Sequence, residues 1–142
     1  MLLKFKALSE HFALPKKAFP SDAGLDMKAC EEMTLEPGDI KAVSLGCSIE
    51  IPEGFEIQVR PRSGLALKSG ITVHNSPGTI DASYRGECKV ILFNAGKAPF
   101  KVDVGDRICQ FVVMALPSVE VALSKSLTRT DREEGGFGST GK

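Results

Sequence analysis

FEIQVR, residues 55 to 60, alternates without a break. Phe55, Ile57 and Val59 point one way along an extended chain, and Glu56, Gln58 and Arg60 point the other. It is preceded by Pro52-Glu53-Gly54 and followed by Pro61, so both ends carry turn chemistry. That is the pattern of a half-buried strand. The same reading extends to LLKFKAL, DIKAVSLG, ECKVILFN, PFKVDV, RICQFVVMA and SVEVALS, the last with Val119, Val121 and Leu123 on one face. Pro37-Gly38, Pro77-Gly78, Ala95-Gly96 and Gly105-Asp106 punctuate the runs. Short strands at this spacing predict an all-β sandwich, jelly roll or barrel.

SGLALKSG, residues 63 to 70, is the one stretch with helical character, about two turns of it. Ser63 is expected as its N-cap and Gly70 as its C-cap. From Ser124 onward the chain turns polar, charged and glycine-rich, with Phe137 the apolar group near its end. The organisation expected is a β core over residues 1–124 and a flexible arm over 125–142.

Composition excludes several classes. The 142 residues suit one domain, and net charge is zero, so no bulk-charge grip on nucleic acid or an acidic membrane is expected. The N-terminal apolar run is too short and interrupted for a signal peptide, and no stretch approaches a membrane span. Cys30, Cys47, Cys88 and Cys109 are widely spaced among apolar neighbours, which predicts buried free thiols in a reducing cytoplasm rather than zinc ligands or disulfides.

The chain ends GGFGSTGK, residues 135 to 142, which contains G-x-x-x-x-G-K. A P-loop needs a strand before it, a helix after it and a Ser or Thr beyond the Lys. An all-β chain whose last residue is Lys142 supplies none of these, so that reading is rejected. The glycines still offer backbone N–H groups that approach anions closely, and Phe137 has the form of a lid for a flat ligand.

Polar residues gather in tight turns elsewhere. AGLDMKA holds Asp26. RPRSGLALKSG puts Arg60, Arg62 and Ser63 at a helix start, where a hydroxyl, an arginine and orphan N–H groups make a phosphate cradle. SPGTIDASYRG carries Asp81 and Tyr84, and GDRICQ carries Asp106, Arg107 and Gln110. Taken singly each has a plain structural reading: turn-forming aspartates, a hairpin aromatic, a surface ion-pair partner. His74 reads as structural.

Taken together and in this order, AGLDMKA, RPRSGLALKSGITVHNSPGTIDASYRG, GDRICQF and RTDREEGGFGSTG resemble the homotrimeric dUTPase family, over residues from about 22 to the end. The resemblance implies a jelly roll with one short helix, and hydrolysis of dUTP to dUMP and pyrophosphate with Mg2+. It implies three active sites shared among three subunits, each closed by an arm. Asp81 would position and activate the attacking water; Tyr84 would pack under the deoxyribose and leave no room for a 2′-hydroxyl. Uracil would be read by the hairpin from Gly78 to Tyr84. Arg62, Ser63 and Gln110 match phosphate contacts. Gly64, Asn75, Gly78, Thr79, Ile80 and Lys89 complete the substrate contacts, and Asp26 would hold hydrated magnesium through water. From the arm, Phe137 would stack on uracil, while Arg132, Gly138, Ser139 and Thr140 would reach the β- and γ-phosphates. Asp106 and Arg107 would brace the turn that presents Gln110.

Departures stand out. Glu133 follows Arg132 where the family usually has glycine, and Arg129 competes with Arg132 by position. Leu25 and Cys109 replace residues usual in their motifs and read as packing changes. Two other functions compete. The related dCTP deaminases carry a catalytic glutamate on the strand after the hairpin; here that position is Ile91, which shuttles no proton. A non-catalytic nucleotide-binding jelly roll would be expected to have lost Asp81 or the arm, and both are present. The expected partners are dUTP and further copies of the chain, without stable nucleic-acid or membrane binding. The expected location is cytoplasmic, with the nucleus an alternative in a eukaryotic or viral setting.

Overall fold

A computed structural model describes residues 1–137. Its strands are β1 (Lys4–Ala7), β2 (Gly24–Lys28), β3 (Met33–Leu35), β4 (Ile40–Ser44), β5 (Cys47–Glu50) and β6 (Phe55–Arg60). After the helix α1 (Ser63–Ser69) come β7 (Ile71–Val73), β8 (Gly78–Ile80), β9 (Lys89–Asn94), β10 (Phe100–Val102) and β11 (Arg107–Ala115). Every pairing is antiparallel. One sheet runs β2-β11-β6-β8, another β4-β9-β7, and β1-β5 and β3-β10 form two-stranded ribbons. The fold is the predicted all-β, jelly-roll-like one.

FEIQVR behaves as its alternation requires. Ile57 and Val59 are buried, while Gln58 on the other face accepts two bonds from Arg60 and donates one to Glu56. RICQFVVMA forms β11 over its whole length and lies between β2 and β6. Its Ile108, Cys109 and Phe111 are buried and share one core with Val43 of β4, Val90 and Leu92 of β9, and Ile57 of β6. The inward faces of the two larger sheets thus close on each other, and burial of each large aliphatic side chain contributes roughly 1.5–3 kcal/mol.

Five strands fall where no strand was predicted: β2, β3, β5, β7 and β8. Most have three to five residues. A run that short carries little alternation, and its place in a sheet comes from its neighbours. β2 is the sharpest case: AGLDMKA reads as a polar turn, yet Gly24–Lys28 is an edge strand held by β11.

SVEVALS departs in the other direction. The strands end at Ala115, and residues 118–124 form none. Val119, Val121 and Leu123 are 71%, 94% and 104% exposed. Alternation makes a segment able to pair, but a strand exists only where an edge accepts it, and no described strand does so here. The helix matches over Ser63–Ser69 and ends in Gly70 at φ 69°, which closes on the carbonyls of Ala66 and Leu65. Its start is one residue earlier than expected: Arg62 is the N-cap, Ser63 is already helical, and no side chain caps the end. All four cysteines are buried and free. His74 packs edge-on against Phe93 at 5.6 Å, in keeping with a structural role.

Candidate active site

The predicted residues gather at two places on the chain. The first is a corner where β2, β11 and the end of β6 meet. Gln110 of β11 stands opposite Asp26 on one side and Arg60 on the other. Asp26 is clamped there. Arg62 donates from Nε to its Oδ1 at 3.0 Å, and Arg107 donates from a terminal guanidinium nitrogen to its Oδ2 at 3.2 Å. Arg62 also donates to the carbonyl of Arg107 at 3.0 Å, so three strand ends are tied through one carboxylate. Gln110 donates to the Pro61 carbonyl at 2.9 Å, which fixes its amide beside the start of α1. Ser63 and Gly64 are exposed at that start, and a side chain on Gly64 would meet open space.

Arg107 was expected to be structural, and its clamp on Asp26 carries that reading into the site. Asp106 braces the turn as expected: its carboxylate accepts from the Asp103 N–H at 2.9 Å and its carbonyl from the Ala29 N–H at 2.8 Å.

The second place is the hairpin from Gly78 to Lys89. Thr79, Ile80, Asp81, Tyr84, Glu87 and Lys89 line a cavity of about 430 Å³. Asp81 is exposed, and its carboxylate has no hydrogen-bond or ion-pair partner among the described residues. The turn after it is tightly determined. The Tyr84 N–H donates to the Asp81 carbonyl at 3.0 Å, and the Tyr84 hydroxyl to the Glu87 carbonyl at 2.9 Å. Arg85 donates to the carbonyls of Ala82 and Tyr84 at 2.6 and 2.8 Å. The Tyr84 ring folds back over Gly86: a Cβ there would land on the Tyr84 hydroxyl and 2.6 Å from Cζ.

Asn75 lies over Gly78, where a Cβ would stand 3.1 Å from the Asn75 amide nitrogen. Glu87 takes a bond from the Ser44 hydroxyl at 2.5 Å and pairs with Lys89 at 3.2 Å. The Ser44 bond first, then Lys89, holds its carboxyl below the ordinary range. Arg85, Gly86 and Glu87 escaped the sequence reading; the only signal for them was membership of the same turn.

The two places share no lining residue: the cavity at Asp81 excludes Asp26, Arg107 and Gln110, which line another. Within the arm, Arg132 donates to the Gly135 carbonyl at 2.7 Å, Phe137 is fully exposed, and Glu133 and Phe137 have φ of 43° and 51°. Gly138, Ser139 and Thr140 lie outside the described residues.

Among the described residues no three His, Cys, Asp or Glu side chains stand together as a metal cage. Asp26 has one guanidinium bond on each oxygen and so keeps further lone pairs on both. That donor set suits a magnesium ion that arrives on a polyphosphate and retains its water shell.

Comparison with known proteins agrees with this picture along the whole chain. The dUTPase family model matches residues 10–141. The deoxyuridine 5′-triphosphate nucleotidohydrolase of Clostridium tetani is 49% identical over 140 residues, covering 99% of this chain and 97% of that protein. The one from Trichodesmium erythraeum is 50% identical over 141 residues, covering 99% of each. Among solved structures, the dUTPase of Staphylococcus bacteriophage 80alpha with dUpNHpp superposes with a TM-score of 0.92 at 24% identity, covering 99% of both chains. The dUTPase of phage phi11 of S. aureus, with a coordinated structural Mg(II) ion, gives 0.84 at 22% identity, covering 91% of this chain and all of that one. At those identities the structural likeness is one of fold. The full-length sequence matches and the family model place this chain in the dUTPase family.

Proposed function

We propose that this enzyme hydrolyses dUTP to dUMP and pyrophosphate, removing a precursor of uracil in DNA and supplying dUMP for thymidylate synthesis. The observation that carries the reading is Asp81: an exposed, unpartnered carboxylate at the mouth of a cavity whose other wall is Tyr84. Asp81 accepts a proton from water as the water oxygen attacks the α-phosphorus. The bond from that phosphorus to the bridging oxygen breaks, and pyrophosphate departs. The Tyr84 ring, held by the Glu87 carbonyl, occupies the space a ribose 2′-hydroxyl would need. The backbone of Gly78–Ile80, with Asn75 and Lys89 beside it, reads uracil. Arg62, Ser63, Gly64 and Gln110 hold phosphates, and Arg132, Phe137, Gly138, Ser139 and Thr140 close over them.

Magnesium, when bound on the triphosphate, neutralises phosphate charge and makes the α-phosphorus more electrophilic. Asp26 would hold it through water. Because the hairpin and the Asp26 corner line separate cavities, a complete site needs residues from more than one copy, and a homotrimer supplies them. Four buried free thiols favour a reducing, cytoplasmic setting.

The test is pyrophosphate release from dUTP, dCTP, dTTP and UTP with magnesium, for the wild type and Asp81→Asn, with the mass in solution measured alongside. Selective release from dUTP, reduced at least about 100-fold in the variant, is expected. Equal release from dCTP, or full activity without the carboxylate, refutes the assignment.

A further inference from the structure

A cavity of about 690 Å³ lies beside the Asp26 corner, under the strap Ala13–Ala18 that joins β1 to β2. Lys16 and Lys17 of the strap, Lys28 of β2 and Arg107 of β11 line it, against the carboxylates of Asp22 and Asp26. Both carboxylates are already engaged. Asp26 takes bonds from Arg62 and Arg107, and Asp22 accepts from the Phe19 N–H at 2.8 Å. Lys16, Lys17 and Lys28 have no ion-pair partner among the described residues. Surface charges of one sign are usually interleaved with the other. Three unpaired ammonium groups on one cavity repel one another, and a multivalent anion relieves that repulsion.

The cavity also has a defined floor. Gln110 lines it, and Gly24 leaves room for the Gln110 amide, since a Cβ at Gly24 would overlap Oε1. The space is therefore continuous with the corner that holds Arg62 and the start of α1. We infer that this cavity is a second phosphate subsite, in which Lys16 and Lys17 receive the pyrophosphate end of the nucleotide and the released inorganic pyrophosphate. The inference rests on the proposed function for the placing of phosphate beside Gln110, and extends it to a strap no motif contains. Lysine suits such a subsite, because its compact charge on a flexible stem attracts a phosphate without fixing its orientation and so releases it again.

The experiment is calorimetric binding of inorganic pyrophosphate, and separately of dUMP, to the full chain at two salt concentrations. The proteins are the wild type, the double variant Lys16→Gln with Lys17→Gln, and Lys97→Gln, an exposed lysine on a distant loop, as the charge control. Pyrophosphate affinity should fall about threefold to tenfold in the double variant, in line with a few exposed charge contacts, and its salt dependence should flatten. Affinity for dUMP should not change, and Lys97→Gln should match the wild type. Steady-state dUTP turnover should show a raised KM at constant kcat. A double variant that binds pyrophosphate as the wild type does, or loses dUMP in proportion, overturns the subsite, as does a wild type that binds no pyrophosphate. Failure of the hydrolase reading would look different: no release from dUTP by the wild type, whatever its pyrophosphate affinity.

Discussion

Arg62 and Asp26 lie 36 residues apart and meet at 3.0 Å with each side chain about three-quarters buried. The sequence offers them as a phosphate contact and a magnesium contact, and the fold makes them one ion pair. The pair also has Arg107 on its far oxygen. Removing Arg62 therefore removes a phosphate ligand and releases Asp26 at once. Arg62→Ala should lower stability by about 1–2 kcal/mol, the range for a hydrogen bond to a charged group that is not fully buried. Its activity loss should exceed that of Arg107→Ala. Denaturant unfolding and kcat/KM on the two variants check this, and equal activity losses would show that Arg62 acts through the clamp alone.

Gly86 should set sugar selectivity. A methyl group there overlaps the Tyr84 ring, which must swing out and break its bond to the Glu87 carbonyl. Gly86→Ala should narrow the ratio of kcat/KM for dUTP over UTP by about tenfold or more, the worth of a lost fit of about 1.4 kcal/mol. Tyr84→Phe keeps the ring but loses the hydroxyl bond, and should narrow it less. A selectivity unchanged in both variants, at wild-type activity, would detach the ring from sugar discrimination.

The arm contains a local conflict. Glu133 stands at φ 43°, a region glycine enters freely and other residues enter at a cost. Its carboxylate accepts from the Thr130 N–H at 2.6 Å, and its own N–H donates to the Thr130 hydroxyl at 3.1 Å. Glu133→Gly removes the strain and a negative charge near the proposed phosphates. It should lower KM for dUTP about twofold to fivefold without shifting the melting temperature, since the residue is outside the core. Deleting residues 135–142 should likewise leave the melting temperature in place but remove most activity. Full activity in the truncated chain would end the closing role of the arm.

The thiols make a pH prediction. Burial pushes the Cys109 and Cys30 thiols above their ordinary range. A raised folded value means that the unfolded chain releases the proton first. The stabilisation is thus complete below the unfolded thiol value near 8.5 and is lost as pH climbs above it. Unfolding free energy should decline from about pH 9 upward, and less so in Cys109→Ala after allowance for its cavity. At pH 8 an alkylating reagent should modify none of the four thiols in the native protein and all four in denaturant. Rapid labelling of the native chain would contradict their burial.

What the sequence determined by itself was local. The alternation in FEIQVR and RICQFVVMA settled two central strands, because side chains on a pleated backbone have a period of two and the core takes one face. Gly70 settled the end of the helix because a left-handed cap suits a residue without Cβ. The motif words supplied Asp81, Tyr84, Asp26, Arg62 and Gln110. What only the tertiary structure decided was who meets whom. Gly24–Lys28 is a strand because β11 accepts it, and SVEVALS is none because no described edge does, although its alternation is the better of the two. Arg107 joins Asp26 across 81 residues, and Lys16 and Lys17 reach one cavity with Lys28 through a loop without periodicity. Local propensity acts over a few residues. Contacts between distant ones follow from how the inward faces of the sheets close on a common core, and no short window of sequence contains that closure.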